Sequence, residues 1–335
     1  MAQNLIVQTT TIADAYQAAH NNALALDRSV MGRFELTGRD RLDLLQRMST
    51  NNMAALKQGE GAATILTTAL ARIIDRLIVY ERGETAIALC GVGRIATVRG
   101  WLQKHIFYQD QIKTRDVSSE WAHIGLFGAQ ADAVADRLAA GVSELPLHHF
   151  REVSLTPSAP LIIARSYPIA GGGYTLLTVG AERDALRARL VAEGVTVVQD
   201  DLDMQVYQGL RIEAGIPEAG AELTEDYIPL EAGLWDAVSF KKGCYIGQEI
   251  IARMESRNKL ARTLVHVRLS AVAAVGTSIQ AGERTVGTLT SVAALPTGEV
   301  YALGYVKTDA LSEPWQVVDE QNSVISVQPI AVAQR

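Results

Sequence analysis

The sequence predicts an α+β fold that ends in a small antiparallel β barrel, and three observations carry that prediction. Helical and strand periods alternate through residues 1–260, with a break near residue 113. From Arg262 the texture changes to short alternating runs separated by Gly, Pro and Asp. The composition, 48% hydrophobic and 20% charged over 335 residues, is that of a folded chain long enough for two or three domains. The chain therefore divides into residues 1–260, two interleaved α+β subdomains, and residues 261–335, a barrel domain.

Taken in order, residues 12–27 are rich in Ala and helix formers, with Thr10 or Thr11 available as N-cap. Phe34 to Thr37 alternates as a short strand turned by Gly38. Leu42, Leu44, Leu45 and Met48 then give Asp40 to Met48 the spacing of a helix with a core face. Thr64 to Leu66 and Ile73 to Tyr80 read as paired strands, and Thr85 to Leu89 as another. Ile95 to Phe107 reads as a helix with Trp101, Leu102 and Ile106 inward. A second unit begins near Lys113, where Ile124 to Gly128 is a strand that breaks into an Ala-rich helix over 129–140. Leu161 to Arg165 and Tyr174 to Val179 are strands flanking Gly171-Gly172-Gly173. That triplet opens no helix and lacks the dinucleotide spacing, so it is a turn. Ala181 to Glu193 is a helix with Arg183, Arg187 and Arg189 outward, and Leu202 to Glu213 is another, ended by Gly215 and Pro217. Thr263 to Leu269, Thr285 to Leu289, Val300 to Tyr305 and Val324 to Val327 supply barrel strands.

Charge and cysteine content narrow the classes of function. A net charge of -6 provides no basic field for nucleic acid. No run approaches the ~18 apolar residues of a membrane span, and Met1 to Thr10 shows no secretory pattern. The two cysteines, Cys90 and Cys244, exclude a disulfide framework and fit a reducing compartment, so the cytoplasm is the expected location. They lie far apart with no C-x-x-C, and the adjacent His148 and His149 point apart, so no permanent metal site is expected. Cys90 follows an apolar strand and is expected to be buried and inert.

The chemistry concentrates in Lys241-Lys242-Gly243-Cys244-Tyr245-Ile246-Gly247-Gln248-Glu249. Gly243 permits a turn or close approach, and a helix begins near Gly247, where the apolar period Ile246, Ile250, Ile251, Met254 starts. Cys244 then lies before free backbone N–H groups and the positive end of a helix dipole, with Lys242 and Lys241 alongside. Those conditions lower a thiol pKa and make a cysteine reactive. Gln248 and Glu249 are assigned to helix-start hydrogen bonding.

The string K-G-C-Y-I-G-Q-E resembles the signature of the YgfZ family, folate-dependent iron–sulfur maintenance proteins related to the glycine cleavage T-protein, an aminomethyltransferase. The resemblance extends over nearly the whole chain. Phe34-x-Leu36-x-Gly38-x-Asp40, Ile124 to Gly128, Gly209 to Pro217 and Pro229 to Leu234 are similar to segments of both families. It implies three domains around a central cleft that binds tetrahydrofolate, with Cys244 beside it. It also implies transient encounters with iron–sulfur enzymes or assembly factors. Tyr80 and Tyr167 fall at or next to tyrosines near the pterin; they either stack a flat ring or pack into the core. Glu231 matches a carboxylate of the family, and Arg76 and Arg253 are candidates to pair the folate glutamate tail.

Departures separate the two relatives. Where the resemblance places the catalytic Asp of an aminomethyltransferase, this chain has Arg76, in Arg72-Ile73-Ile74-Asp75-Arg76-Leu77. A guanidinium keeps its charge through any working pH and cannot take that proton-transfer role. A folate-contacting Glu falls at Thr175, and a later Asn-Ala is replaced around Cys90-Gly91. The expectation is a tetrahydrofolate-associated protein of iron–sulfur assembly or repair, with Cys244 as the functional thiol. The thiolate would attack a disulfide or persulfide, or hold iron briefly. The alternatives are a folate-dependent aminomethyltransferase or other one-carbon transferase, for which Asp75 is the nearby carboxylate, and a scaffold in which Cys244 is structural.

Overall fold

A computed structural model describes residues 11–198, 201–257, 259–319 and 323–333. Thr11 caps the first helix, α1 (Ile12–Asn21), through a reciprocal capping box with Asp14. The alternative cap, Thr10, and the rest of 1–10 lie outside the described residues. The expected helix over 12–27 stops at Asn21, and Leu24–Asp27 forms a strand, β1. Local Ala content favours the helix there, but β1 is held between two other strands, and tertiary pairing overrides propensity.

The chain then lays down β2 (Met31–Thr37), α2 (Arg41–Met48), β3 (Gly61–Thr67), β4 (Ile73–Glu81), β5 (Thr85–Val92), α3 (Ile95–Gln103) and β6 (Lys113–Asp116). Their strands form a five-stranded antiparallel sheet in the order β3-β4-β5-β2-β6. The strand at Lys113 thus closes the first sheet at its edge, and the chain leaves that sheet only after Asp116. The expected helix from Ile95 ends at Gln103, four residues short of Phe107. One face of this sheet packs on α2 and α3 through Leu44, Leu45, Leu77, Val79, Val98 and Leu102.

The second unit contains β7 (Trp121–Phe127), α4 (Ala131–Leu138), β8 (Phe150–Thr156), β9 (Ala159–Ile169), β10 (Gly172–Val179), α5 (Arg183–Ala192), β11 (Thr196–Val197) and α6 (Asp203–Glu213). Its sheet runs β11-β1-β7-β10-β9-β8, so β1 threads back from the N-terminal stretch. The turn between β9 and β10 is Ala170-Gly171, both at positive φ, while Gly172 and Gly173 are already strand. Packing buries α4 and α5 on one face; on the other, Phe150, Ile162 and Leu177 meet Tyr80, Ile87 and Leu89 of the first sheet.

After α7 (Gln248–Arg257), the strands β12 (Arg262–Leu269), β13 (Ser278–Ala281), β14 (Arg284–Ala294), β15 (Val300–Lys307), β16 (Gln316–Val318) and β17 (Val324–Val332) close a six-stranded antiparallel barrel. The barrel docks on the first sheet and α6 through Ile65, Ile73, Ile212, Leu234, Leu264 and Leu303. A buried polar cluster ties the same junction. Glu222 accepts from Arg211 at 3.1 Å, Ser291 at 2.5 Å and Thr290 at 2.8 Å. No helix among the described residues is long and apolar enough to cross a membrane.

Candidate functional site

Where the two sheets and the barrel converge, they leave a cleft of two chambers that share Arg76, Tyr167 and Ile216 as a common wall. The outer chamber, about 270 Å³, is lined by the 214–217 turn after α6, the 232–236 segment and the inner edge of the barrel. The inner chamber, about 80 Å³, lies between the sheets and includes Tyr80, His123, His148 and Thr175 in its wall.

Strand alternation explains how Arg76 reaches this neck. On β4, Arg76, Ile78 and Tyr80 line the cleft, whereas Leu77 and Val79 belong to the helix-covered core. Asp75 points away with the latter set. It is fully buried, accepts from the Arg76 and Gly91 backbone N–H groups at 2.9 Å each, and lines neither chamber. Burial raises its pKa, and those two N–H groups work against the rise. Asp75 is thus spent on joining β4 to β5, and the expected nearby carboxylate is not offered to the cleft.

Arg76 lies over the Tyr167 ring, 5.3 Å from its centroid, and donates through Nη2 to the Pro217 carbonyl at 3.2 Å. The Tyr167 hydroxyl donates to Asp236 Oδ2 at 2.6 Å, and Asp236 lines the outer chamber. The cleft does hold a carboxylate, therefore, and it comes from the loop just before the cysteine motif. His148 meets the Tyr167 ring edge-on at 5.1 Å. It is only 4% exposed, sits at φ 67°, and neither ring nitrogen has a hydrogen-bond partner. Burial, with Arg76 and His149 nearby, lowers its pKa to about 3, so the ring is neutral at working pH. In the outer chamber, His266 Nε2 is likewise buried without a partner.

Of the expected ring-stacking residues, Tyr167 stands at the neck. Tyr80 is fully buried, lines the inner chamber and packs edge-on against Phe150 at 5.7 Å. Two other expected contacts lie elsewhere. Arg253 is exposed on α7 and lines neither chamber, so it is not brought together with Arg76. Glu231 is buried outside both linings, accepts from the Ile228 N–H at 3.2 Å, and has its pKa raised by burial.

The cysteine motif forms an anchored loop leading to α7. Gly247, at φ 85°, packs so closely on the Thr67–Ala71 turn that a Cβ would meet Thr68 O at 2.8 Å. Thr67 Oγ1 donates to Ile246 O at 2.7 Å, and the Ser239 N–H to Thr50 O at 3.0 Å. Gly243, expected to make the close approach, has open space around its Cβ position; that requirement falls on Gly247 instead. Tyr245 is buried under Lys242, whose ammonium is 4.9 Å from the ring centroid.

Lys242 has a different task from the one expected. Its ammonium donates to the carbonyls of Gln46 (2.6 Å), Ser49 (2.6 Å) and Asn51 (2.8 Å), which uses all three of its hydrogens. It caps the C-terminal end of α2, where carbonyls lack partners and the dipole favours a cation, so no donor is left for the thiol. Burial pushes its pKa down to about 8. Lys241 and Cys244 are exposed, and Cys244 lines neither chamber. The helix begins at Gln248, whose backbone N–H bonds Tyr245 O at 3.2 Å, with Glu249 exposed in its first turn. Cys90 is buried, and burial raises its thiol to about 12. Among the described residues no group of His, Cys, Asp and Glu is placed to hold a metal.

Sequence reasoning missed His148 as a cleft residue and missed Asp236. Asp236 had a signal, since it lies between the Pro229 to Leu234 segment and the motif. His148 had none, because its burial depends on strands far apart in the chain.

Two α+β sheets and a closed barrel around a cleft define the class as a T-protein-type fold. The solved structure of glycine cleavage system aminomethyltransferase T from Bartonella henselae superposes with a TM-score of 0.80 at 20% identity, covering 96% of this chain and 88% of that one. Residues 7–242 match the GCVT N-terminal domain, and the chain belongs to that family. Among curated relatives, a protein of Arabidopsis thaliana named "Putative transferase, chloroplastic" is 28% identical over 89% of this chain and 68% of its own length. An aminomethyltransferase of Bacillus cytotoxicus is 26% identical over 88% of this chain and 81% of its own.

Proposed function

We propose that this chain is a tetrahydrofolate-binding one-carbon transferase whose reacting groups meet at the neck of the cleft. The observation that carries the reading is the Tyr167–Asp236 pair, which holds a carboxylate in the cleft although residue 76 is a cation. The chamber suits the cofactor. Its volume is close to the lower end, about 300 Å³, of ligand pockets, and it offers an orphaned His266 Nε2 beside an apolar wall of Ile216, Leu234, Leu264 and Leu303. Tyr167, Arg76, Asp236 and His266 would hold the folate, which supplies a carrier for the one-carbon unit between N5 and N10. Asp236, oriented by the Tyr167 hydroxyl, would hold or accept a proton there. Titration calorimetry with tetrahydrofolate is expected to show binding to the wild type, weakened about tenfold in Tyr167→Ala as a stacking surface is lost. Asp236→Asn is expected to weaken binding less than Tyr167→Ala does and to lose one-carbon turnover. Wild-type protein that binds no tetrahydrofolate would refute the proposal.

A second reading has its own support. Cys244 is exposed on a loop fixed by Lys242, Thr67 and Gly247, the arrangement of a thiol presented to a partner. In this reading the protein is a YgfZ-type factor of the cytoplasm that maintains clusters in iron–sulfur enzymes. Cys244→Ser would then abolish rescue of cluster-dependent enzymes in cells lacking the protein while leaving tetrahydrofolate binding intact. Full rescue would exclude it.

A further inference from the structure

Asp236, the carboxylate of the outer chamber, sits on a turn too short to hold it. Trp235–Ala237 is closed by the Ala237 N–H to Leu234 O at 3.3 Å and the Val238 N–H to Trp235 O at 3.2 Å. Both lie at or beyond the long end of a hydrogen bond. Asp236 is also exposed, so burial does not fix it. Its backbone is held instead by the Ser49–Asn51 segment that follows α2. Asn51 Nδ2 donates to Asp236 O at 3.1 Å, Thr50 Oγ1 to Ala237 O at 2.6 Å, and the Ser239 N–H to Thr50 O at 3.0 Å. The holding segment is itself stitched to β3. There Asn51 Nδ2 donates to Ala63 O at 2.8 Å, the Asn51 N–H to Thr64 Oγ1 at 2.9 Å, and the Ile65 N–H to Thr50 Oγ1 at 3.0 Å. Ser49 and Thr50 are fully buried. The Lys242 ammonium takes up the Ser49 and Asn51 carbonyls. The segment is therefore a bridge, with the cysteine motif on one side and the cleft carboxylate on the other.

We infer that Thr50 and Asn51 are positioning residues for Asp236, and that Lys242 makes the cysteine motif part of the same unit. The reacting role of Asp236 rests on the one-carbon transferase proposed above; its placement by the bridge does not. Thr50, Asn51 and Lys242 line neither chamber, so they act through the backbone of residues 236–239 rather than on a ligand. A reacting group misplaced by about 1 Å costs up to about 100-fold in rate. A side chain on so short a turn follows any shift of the carbonyls that anchor it, and a precise site needs such support behind it.

The Tyr167 ring reports the position of Asp236 without any ligand, because its hydroxyl donates to Asp236 Oδ2. Protein carrying ¹³C-labelled tyrosine gives that signal, assigned by its loss in Tyr167→Phe. Asn51→Leu and Thr50→Val remove the donors at similar size and are expected to move the Tyr167 signal towards its position in Asp236→Ala. Thr50→Ser keeps the hydroxyl and should restore the wild-type position. Lys242→Met should move the signal in the same direction from outside the cleft. Lost stability alone leaves the signals of the folded population in place. A lowered urea midpoint with an unmoved Tyr167 signal would therefore overturn the inference, as would equal shifts in Thr50→Val and Thr50→Ser. A signal unmoved in Lys242→Met alone would detach the cysteine motif from the unit. If Thr50→Val or Lys242→Met fails to fold, Asn51→Leu, at a half-buried site, decides. Tetrahydrofolate calorimetry on the same samples separates the two proposals. Wild-type protein that binds none refutes the folate reading and leaves the bridge to stand on the Tyr167 shift. Binding by the wild type with Tyr167 unmoved in the variants sinks the bridge alone.

Discussion

Lys242→Met tests whether the lysine of the motif is a structural strut. The substitution keeps an apolar stem of similar length and removes the ammonium, leaving the Gln46, Ser49 and Asn51 carbonyls without their donor. A buried acceptor stripped of its partner costs about 1–3 kcal/mol. The hydrogen bond to Ser49 is fully buried, while those to Gln46 and Asn51 are partly so, and water can restore some of their loss. Taking the middle of the range for Ser49 and the low end for the other two gives about 4 kcal/mol; relief from burying a cation returns part of it, leaving about 3 kcal/mol. Urea unfolding followed by circular dichroism is expected to show a lower midpoint with an unchanged slope. Lys242→Arg should rescue little, since a planar fork cannot reach three convergent carbonyls as an ammonium does. A loss below about 1 kcal/mol for Lys242→Met would refute the strut, because a lysine free to activate the thiol is worth no more to stability than that.

Three further outcomes are expected. His148 is held near pKa 3 in the fold against 6.5 when unfolded, so only the unfolded chain gains this proton between those values and stability falls as pH drops from 6.5 towards 3. The loss is about 1.4 kcal/mol per pH unit. His148→Asn, which tolerates the left-handed backbone, should flatten the acid limb of a stability–pH curve; an unchanged limb would mean that the ring is not buried neutral. Gly247→Ala forces a positive φ and a backbone clash with Thr68, so it should lower stability by about 2 kcal/mol and speed proteolysis of the motif loop; wild-type behaviour would contradict that packing. Glu222→Leu removes the acceptor shared by Arg211, Ser291 and Thr290 at the barrel junction, while Glu218 stays 3.4 Å from Arg211, and should cost about 3 kcal/mol in thermal unfolding. A melting temperature within a few degrees of wild type would show that the barrel does not depend on that cluster.

What the sequence made legible follows the range of the forces involved. The capped start of α1, the turn at Gly38, the helix opening at Gly247 and the four longer barrel strands β12, β14, β15 and β17 depend on near neighbours, and their residue types announce them. The end of α1 does not, because β1 is stabilised by β7 and β11, roughly a hundred and more residues away. The two-residue β11 and three-residue β16 carry too few alternations to stand out from loops. The candidate site divides along the same line. Alternation on β4 is local, and it suffices to set Arg76 and Asp75 on opposite faces. Which face looks into the cleft is decided by β9, the segment after α6 and the barrel. The Lys242 ammonium shows the sharper form of the difficulty. A lysine beside a cysteine reads as an activator, yet its partners are carbonyls at the end of a helix some two hundred residues earlier. Adjacency in the chain indicates which groups travel together; the direction each side chain takes is settled by whichever unpaired backbone or ring the fold brings within reach. For the same reason the cleft carboxylate is Asp236, on the short turn Trp235–Ala237, whose partner Tyr167 belongs to β9 and is invisible from its own neighbours.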